Sequence, residues 1–144
     1  MIVRRDAVTA LATLTAAAHD GRLDAVCERF SVRVMSAFGS AVHNSIRIPQ
    51  DLDIGVSFRR DLADNAKLTT RLGLWAALVD LTGYEAIDLV VLDIDNPVLR
   101  AEALTGVALY ESVSGEFAEA QIAAIGEQRD TAHLRRRNLE LMAK

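Results

Sequence analysis

Asp51-Leu52-Asp53-Ile54-Gly55-Val56-Ser57-Phe58 alternates polar and apolar residues along its whole length. A period of two is the signature of a strand, so Leu52, Ile54, Val56 and Phe58 turn to one face and Asp51, Asp53, Gly55 and Ser57 to the other. The apolar flanks point to a central strand, where charge needs a reason; the plainer alternative is two solvated carboxylates on an exposed face. Two carboxylates held side by side repel each other and call for a cation. Ligands that offer only oxygen suit Mg²⁺ or Mn²⁺, not zinc.

Upstream of this strand, Ser31 to Phe38 also alternates, with Val32, Val34 and Phe38 expected on one side, and it runs directly into Gly39-Ser40. A strand ending in Gly-Ser presents backbone N–H groups and a hydroxyl to an anion, and glycine lets the anion approach closely. Helices are predicted over 4–18, with Val8, Leu11, Leu14 and Ala18 as the buried stripe, and over about 22–30. Downstream, a helix over about 64–81 is expected to bury Leu68, Leu72, Trp75 and Val79, with Asp61 or Asp64 as its cap and Gly83 as its stop. Ala86 to Asp93 is the most strand-like run, and Asp88 alternates out between Ile87 and Leu89. If this strand neighbours the first, three carboxylates could hold two ions about 3.5–4 Å apart, the arrangement that clamps an in-line phosphoryl displacement. Asn96-Pro97 reads as a capped helix start ending at Gly106, Val107 to Tyr110 as a short edge strand, and the chain from about 115 to 143 as a helix. The order implies one α/β domain, a small mixed sheet flanked by helices.

Composition narrows the function. At 144 residues there is room for one domain, and a hydrophobic fraction of 51% is that of an ordinary globular chain. A net charge of −4 argues against a general nucleic-acid binder. The single cysteine, Cys27, rules out an internal disulfide and reads as a buried helix residue; with no apolar run long enough for a bilayer, a cytoplasmic protein is expected. His19 and His133 have no partners at metal spacing and read as surface residues. Tyr84 and Tyr110 read as structural, and Asp93 and Asp95 as loop or capping residues. Arg135-Arg136-Arg137 reads as a solvated helix end or a binding patch, and Leu139, Leu141 and Met142 beyond it imply packing on the domain or on a partner.

Phe38-Gly39-Ser40, Asp51-Leu52-Asp53 and Ile87-Asp88-Leu89 together resemble the signature of the DNA polymerase β-like nucleotidyltransferase superfamily. Within it the chain most resembles the minimal nucleotidyltransferase (MNT) group. The resemblance spans roughly residues 22–112 and takes in Asn96-Pro97, the helix after it and the Gly106 to Tyr110 segment. It implies a nucleotidyltransferase fold, Asp51, Asp53 and Asp88 as metal ligands and catalytic residues, Gly39 and Ser40 as nucleotide-binding residues, Mg²⁺ or Mn²⁺ as cofactor and ATP as substrate. Many members of the group are antitoxins encoded beside a HEPN-domain ribonuclease toxin, and the best understood transfer AMP from ATP to a tyrosine of that toxin. The alternatives it leaves are an antitoxin acting by contact alone, or transfer to a small molecule or a tRNA end. Arg129 and His133 stand too close together for the Arg…His pattern of HEPN ribonucleases, so the chain is not the toxin half. It departs from the family pattern where a basic residue commonly follows Gly-Ser: Ala41, Val42, His43 and Asn44 stand there instead, with His43 or Arg47 as substitutes and Asn44 in place of a turn glycine. Gln50 stands where serine usually precedes the first Asp.

Overall fold

The computed structural model describes residues 6–43, 50–93 and 96–142. Asn44, Arg47 and Asp95 lie outside the described residues. Among the described residues, five α-helices and four strands follow the order α1 (Ala7–Asp20), α2 (Arg22–Arg29), β1 (Val32–Phe38), β2 (Leu52–Phe58), α3 (Lys67–Thr82), β3 (Ile87–Val91), α4 (Pro97–Leu104), β4 (Val107–Glu111) and α5 (Glu116–Met142). The sheet order is β3-β2-β1-β4. β1 runs antiparallel to both β2 and β4, whereas β2 and β3 are parallel. The sheet is therefore mixed, as expected, with β4 at one edge.

Both faces of the sheet are covered. Leu52, Ile54, Val56 and Phe58 of β2 join buried residues of α1, α2 and α3 in one core cluster. Val34, Phe38 and Leu92 form a second cluster with Ala101, Ala103 and Leu104 of α4 and Ala124 of α5. Because β2 lies inside the sheet, its second face is covered too: a Cβ on Gly55 would come within 3.1 Å of the Ala103 methyl carbon.

Local signals set most helix ends. Asp6 caps α1 by accepting from Thr9 N at 2.8 Å, and Gly21 closes it in the left-handed conformation at φ 89°. Asn96 caps α4 by accepting from Leu99 N at 3.2 Å, with Pro97 in the first turn. Gly83, at φ 66°, stops α3. The start of α3 departs from expectation. A short 3-10 turn over Asp64–Ala66 leads into it without a side-chain cap, while Asp61 pairs with Arg59 and Asp64 with Lys67.

Three orientations differ from the sequence pattern. α1 buries Ala7, Ala10, Leu14 and Ala17, leaving Val8 half exposed. α3 buries Leu74, Leu78 and Thr82, so Leu68, Leu72 and Trp75 face outward and only Val79 of the expected stripe meets the core. In β1 an irregularity between Val32 and Val34 breaks the alternation, and Val32 packs in the first cluster while Val34 and Phe38 pack in the second. No helix among the described residues is long and apolar enough to cross a membrane.

Candidate active site

Parallel pairing of β2 with β3 sets Asp53 directly beside Asp88. Register partners on adjacent strands are about 4.8 Å apart and share a face. Asp53 is half-buried, Asp88 is exposed, and Asp51 is exposed one residue before β2 begins. Burial pushes the Asp53 carboxyl above its ordinary range, and the charges of Asp88, Asp51 and Glu102 add to the rise. The direction is that of a carboxylate held among others of like charge. Among the described residues none of the three aspartates forms an ion pair. No group of three His, Cys, Asp or Glu side chains among the described residues is close enough to hold a metal ion as the side chains stand.

Antiparallel pairing with β1 places Phe38 opposite Asp53, so the chain leaving β1 turns beside that carboxylate. Gly39 makes the turn possible. Its φ is +77°, and a Cβ built on it would lie 2.2 Å from Asp53 Oδ2, so any larger residue would displace the carboxylate. A 3-10 turn over Gly39–Ala41 follows, in which Val42 N and His43 N both donate to the Gly39 carbonyl at 3.1 and 3.2 Å. Ser40 and His43 are exposed on this turn. The glycine-serine bend and two strand carboxylates thus meet at one end of the sheet, on the face covered by α4.

Two neighbours of this cluster escape a reading of the sequence. Glu102 of α4 contributes its field to Asp53, which requires knowing which face of α4 meets the sheet. Tyr84 hydroxyl donates to the Gln50 carbonyl, tying the chain just before Asp51 to the end of α3. Burial, then the charges of Asp51 and Asp6, push the Tyr84 phenol up. Its structural role therefore lies beside the site.

The other residues singled out lie elsewhere. Asp93 accepts from Ser57 Oγ at 2.6 Å and Phe58 N at 3.0 Å, fastening the end of β3 to β2. Cys27 is fully buried, and burial raises its thiol far beyond the range in which it would react. Tyr110 is partly buried against the first cluster, and His19 and His133 are exposed. Arg136 and Arg137 are exposed, as are Leu139, Leu141 and Met142 at 66%, 60% and 81%, so this end of α5 does not pack on the domain.

A family model described as polymerase beta, nucleotidyltransferase, matches residues 22–114. No curated protein matches the chain. Among solved structures, a chain of a toxin–antitoxin crystallised with AMP-PNP superposes with a TM-score of 0.63 at 16% identity, covering 87% of this chain and 98% of that one. A chain from the complex of tri-AMPylated Shewanella oneidensis HEPN toxin with MNT antitoxin gives 0.59 at 16% identity, covering 87% and 96%. A chain of the toxin–antitoxin MntA–HepT gives 0.58 at 18% identity, covering 87% and 97%. At these identities the likeness is one of fold.

Proposed function

The chain belongs to the polymerase beta nucleotidyltransferase family, and from that premise we propose that it transfers AMP from ATP to a hydroxyl on a HEPN-type toxin, as the antitoxin of a toxin–antitoxin pair in the cytoplasm. The observation that carries this reading is the register of Asp53 beside Asp88, with Gly39 closed against the Asp53 carboxylate. Asp51, Asp53 and Asp88 are the ligands for Mg²⁺ or Mn²⁺, and the donor set fits: oxygen only, like-charged, and without a cationic side chain in ion-pair contact among the described residues. A bound divalent ion would neutralise triphosphate charge and ease deprotonation of the attacking hydroxyl.

The chain's own groups do the remaining work. Gly39 and Ser40 present the bend to the phosphates, and Asp53 sits against it so that nucleotide and carboxylates share one site. Asp88, exposed at the rim, accepts the proton of the incoming hydroxyl. The acceptor oxygen bonds to the α-phosphorus as the bond to the β-phosphate oxygen breaks, and pyrophosphate leaves. Tyr84 is a positioning residue, holding Gln50 and hence the approach to Asp51. Neighbours of the same fold crystallised as toxin–antitoxin complexes, one with AMP-PNP and one with an AMPylated toxin, support the nucleotide and the partner.

The test is incorporation of label from α-labelled ATP, with Mg²⁺, into the product of the neighbouring gene, which this reading expects to be a HEPN-type protein. Asp53→Asn is expected to abolish labelling while circular dichroism stays unchanged; an unlabelled partner with wild-type protein would overturn the reading. A second reading, neutralisation by contact alone, draws on two observations. No Lys or Arg follows Gly39-Ser40 within the described turn, and no three ligands are preassembled. Toxin neutralisation that survives an Asp51→Asn/Asp53→Asn double substitution would favour it. Labelling of tRNA or of a small hydroxyl compound in place of the protein would move the acceptor assignment.

A further inference from the structure

Helix α3 carries two apolar stripes, and the core uses one. Leu74 and Leu78 are fully buried, whereas Leu68, Leu72 and Trp75 are 67%, 60% and 37% exposed. Spacings of four and three residues set those three on one face of the helix. With Ile87 and Leu89 of β3 they line an open groove of about 480 Å³, and Asp88 stands on its wall. The groove therefore reaches one carboxylate of the candidate active site, Asp88, at the exposed edge of β3.

The polar groups of this edge are already engaged. β3 is an edge strand, and side chains of α3 reach across to its outward carbonyls. Trp75 Nε1 donates to the Ile87 carbonyl at 3.0 Å and Arg71 Nη2 to the Leu89 carbonyl at 2.9 Å. An added strand would need those carbonyls for its ladder, so strand addition is blocked along this edge. A nucleic acid is disfavoured as well, since its phosphates would meet Asp88 while the guanidinium of Arg71 and the indole N–H are committed to the backbone. What the groove still offers is an apolar stripe at helical spacing, and such a stripe fits the apolar face of an amphipathic helix.

We infer that this groove docks an amphipathic helical segment of the acceptor protein and delivers its hydroxyl side chain to Asp88. The inference rests on the transferase reading for the hydroxyl but not for the docking, and the two can be separated. Leu68→Glu/Leu72→Glu places two charges on residues that are already exposed, so the fold should survive, which thermal unfolding checks. With the product of the neighbouring gene as probe, calorimetric Kd and the KM for labelling should each rise about tenfold or more. The kcat and the affinity for Mg²⁺ with AMP-PNP should stay unchanged, and Leu68→Met/Leu72→Met should retain binding. Asp53→Asn should bind the probe as tightly as wild type. A wild-type protein that binds the probe through the stripe but does not label it would therefore overturn the transferase reading and leave the docking site standing. A wild-type protein that does not bind the probe, or a double variant that binds it equally well, overturns the docking site. Self-association in sedimentation that the double variant abolishes would assign the groove to a second copy of this chain and overturn it too.

Discussion

Asp53 is ionised at a cost that the fold bears and a ligand can relieve. Its folded-state pKa is raised by burial and by the charges of Asp88, Asp51 and Glu102, so the unfolded chain releases this proton at lower pH than the folded one. The sign follows: as pH rises from the ordinary carboxylate range through the folded pKa, Asp53 progressively destabilises the protein. Asp53→Asn should therefore raise Tm at pH 7 by about 1–3 °C, and the gain should vanish below about pH 3, where both side chains are neutral. Mg²⁺ should raise the Tm of the wild type and not of the variant, because only the wild type gains a ligand bound to the native state. Scanning calorimetry across pH with and without Mg²⁺ reads both effects, and a variant less stable than wild type at pH 7 would refute the electrostatic account. Gly39→Ala meets two obstacles, a φ of +77° and an Asp53 oxygen 2.2 Å from the new carbon. It should cost about 1–3 kcal/mol in urea unfolding and remove labelling of the partner. Gly115→Ala is the control. Its φ is +93° but its surroundings are open, so it should lose stability by about 1 kcal/mol and keep labelling.

Helices and strands were legible in the sequence wherever a short-range rule acts alone. Alternation in β2, the Asn96-Pro97 start of α4 and the Gly83 stop of α3 each depend on neighbours a few residues away. Facing was less legible, because it depends on what lies opposite. α1 meets the rest of its cluster through Leu14 and through Ala7, Ala10 and Ala17, small residues that permit close approach, whereas a pattern weighted by large side chains favours Val8, which is half exposed. α3 is apolar around much of its circumference, so its two stripes compete, and contact with β3 and α1 rather than periodicity decides between them. The same reasoning covers the site. Asp51, Asp53 and Asp88 stand out by alternation, but Glu102 and Tyr84 reach the cluster only through tertiary placement. A pair of truncations of side chains tests the facing of α3. Leu74→Ala should cost about 2–5 kcal/mol, while Leu72→Ala should stay within about 0.5 kcal/mol. Urea midpoints measure both, and equal losses would mean that both stripes are buried in solution.

The whole molecule divides unequally between a core that positions the carboxylates and a helix that outruns it. α5 has 27 residues, about 40 Å of helix. Its first half belongs to the second core cluster through Phe117, Ala120 and Ala124, and Gln121 Nε2 donates to the Leu104 carbonyl at 3.1 Å. Arg100 reaches across to Glu127 from α4. Past that ion pair the described side chains are exposed, and Leu134 at 56% lies among them. A helical segment without tertiary contacts adds little to stability, since isolated helices of this length are marginal in water. We therefore expect a chain ending at Arg129 to unfold within about 2 °C of the full-length protein and to retain Mg²⁺-dependent stabilisation by AMP-PNP. A chain ending at Val113 should fare differently. It uncovers Val34, Phe38 and Leu104, the apolar surface that holds α4 and Glu102 over the carboxylate face. Its Tm should fall by 10 °C or more, on the order of several kcal/mol of lost burial, and nucleotide stabilisation should disappear with it. Thermal unfolding of the two chains followed by circular dichroism separates the halves of α5. A large loss at the Arg129 cut would show that the exposed half is bound to the domain in solution, and a small loss at the Val113 cut would show that the second core cluster does not hold the site.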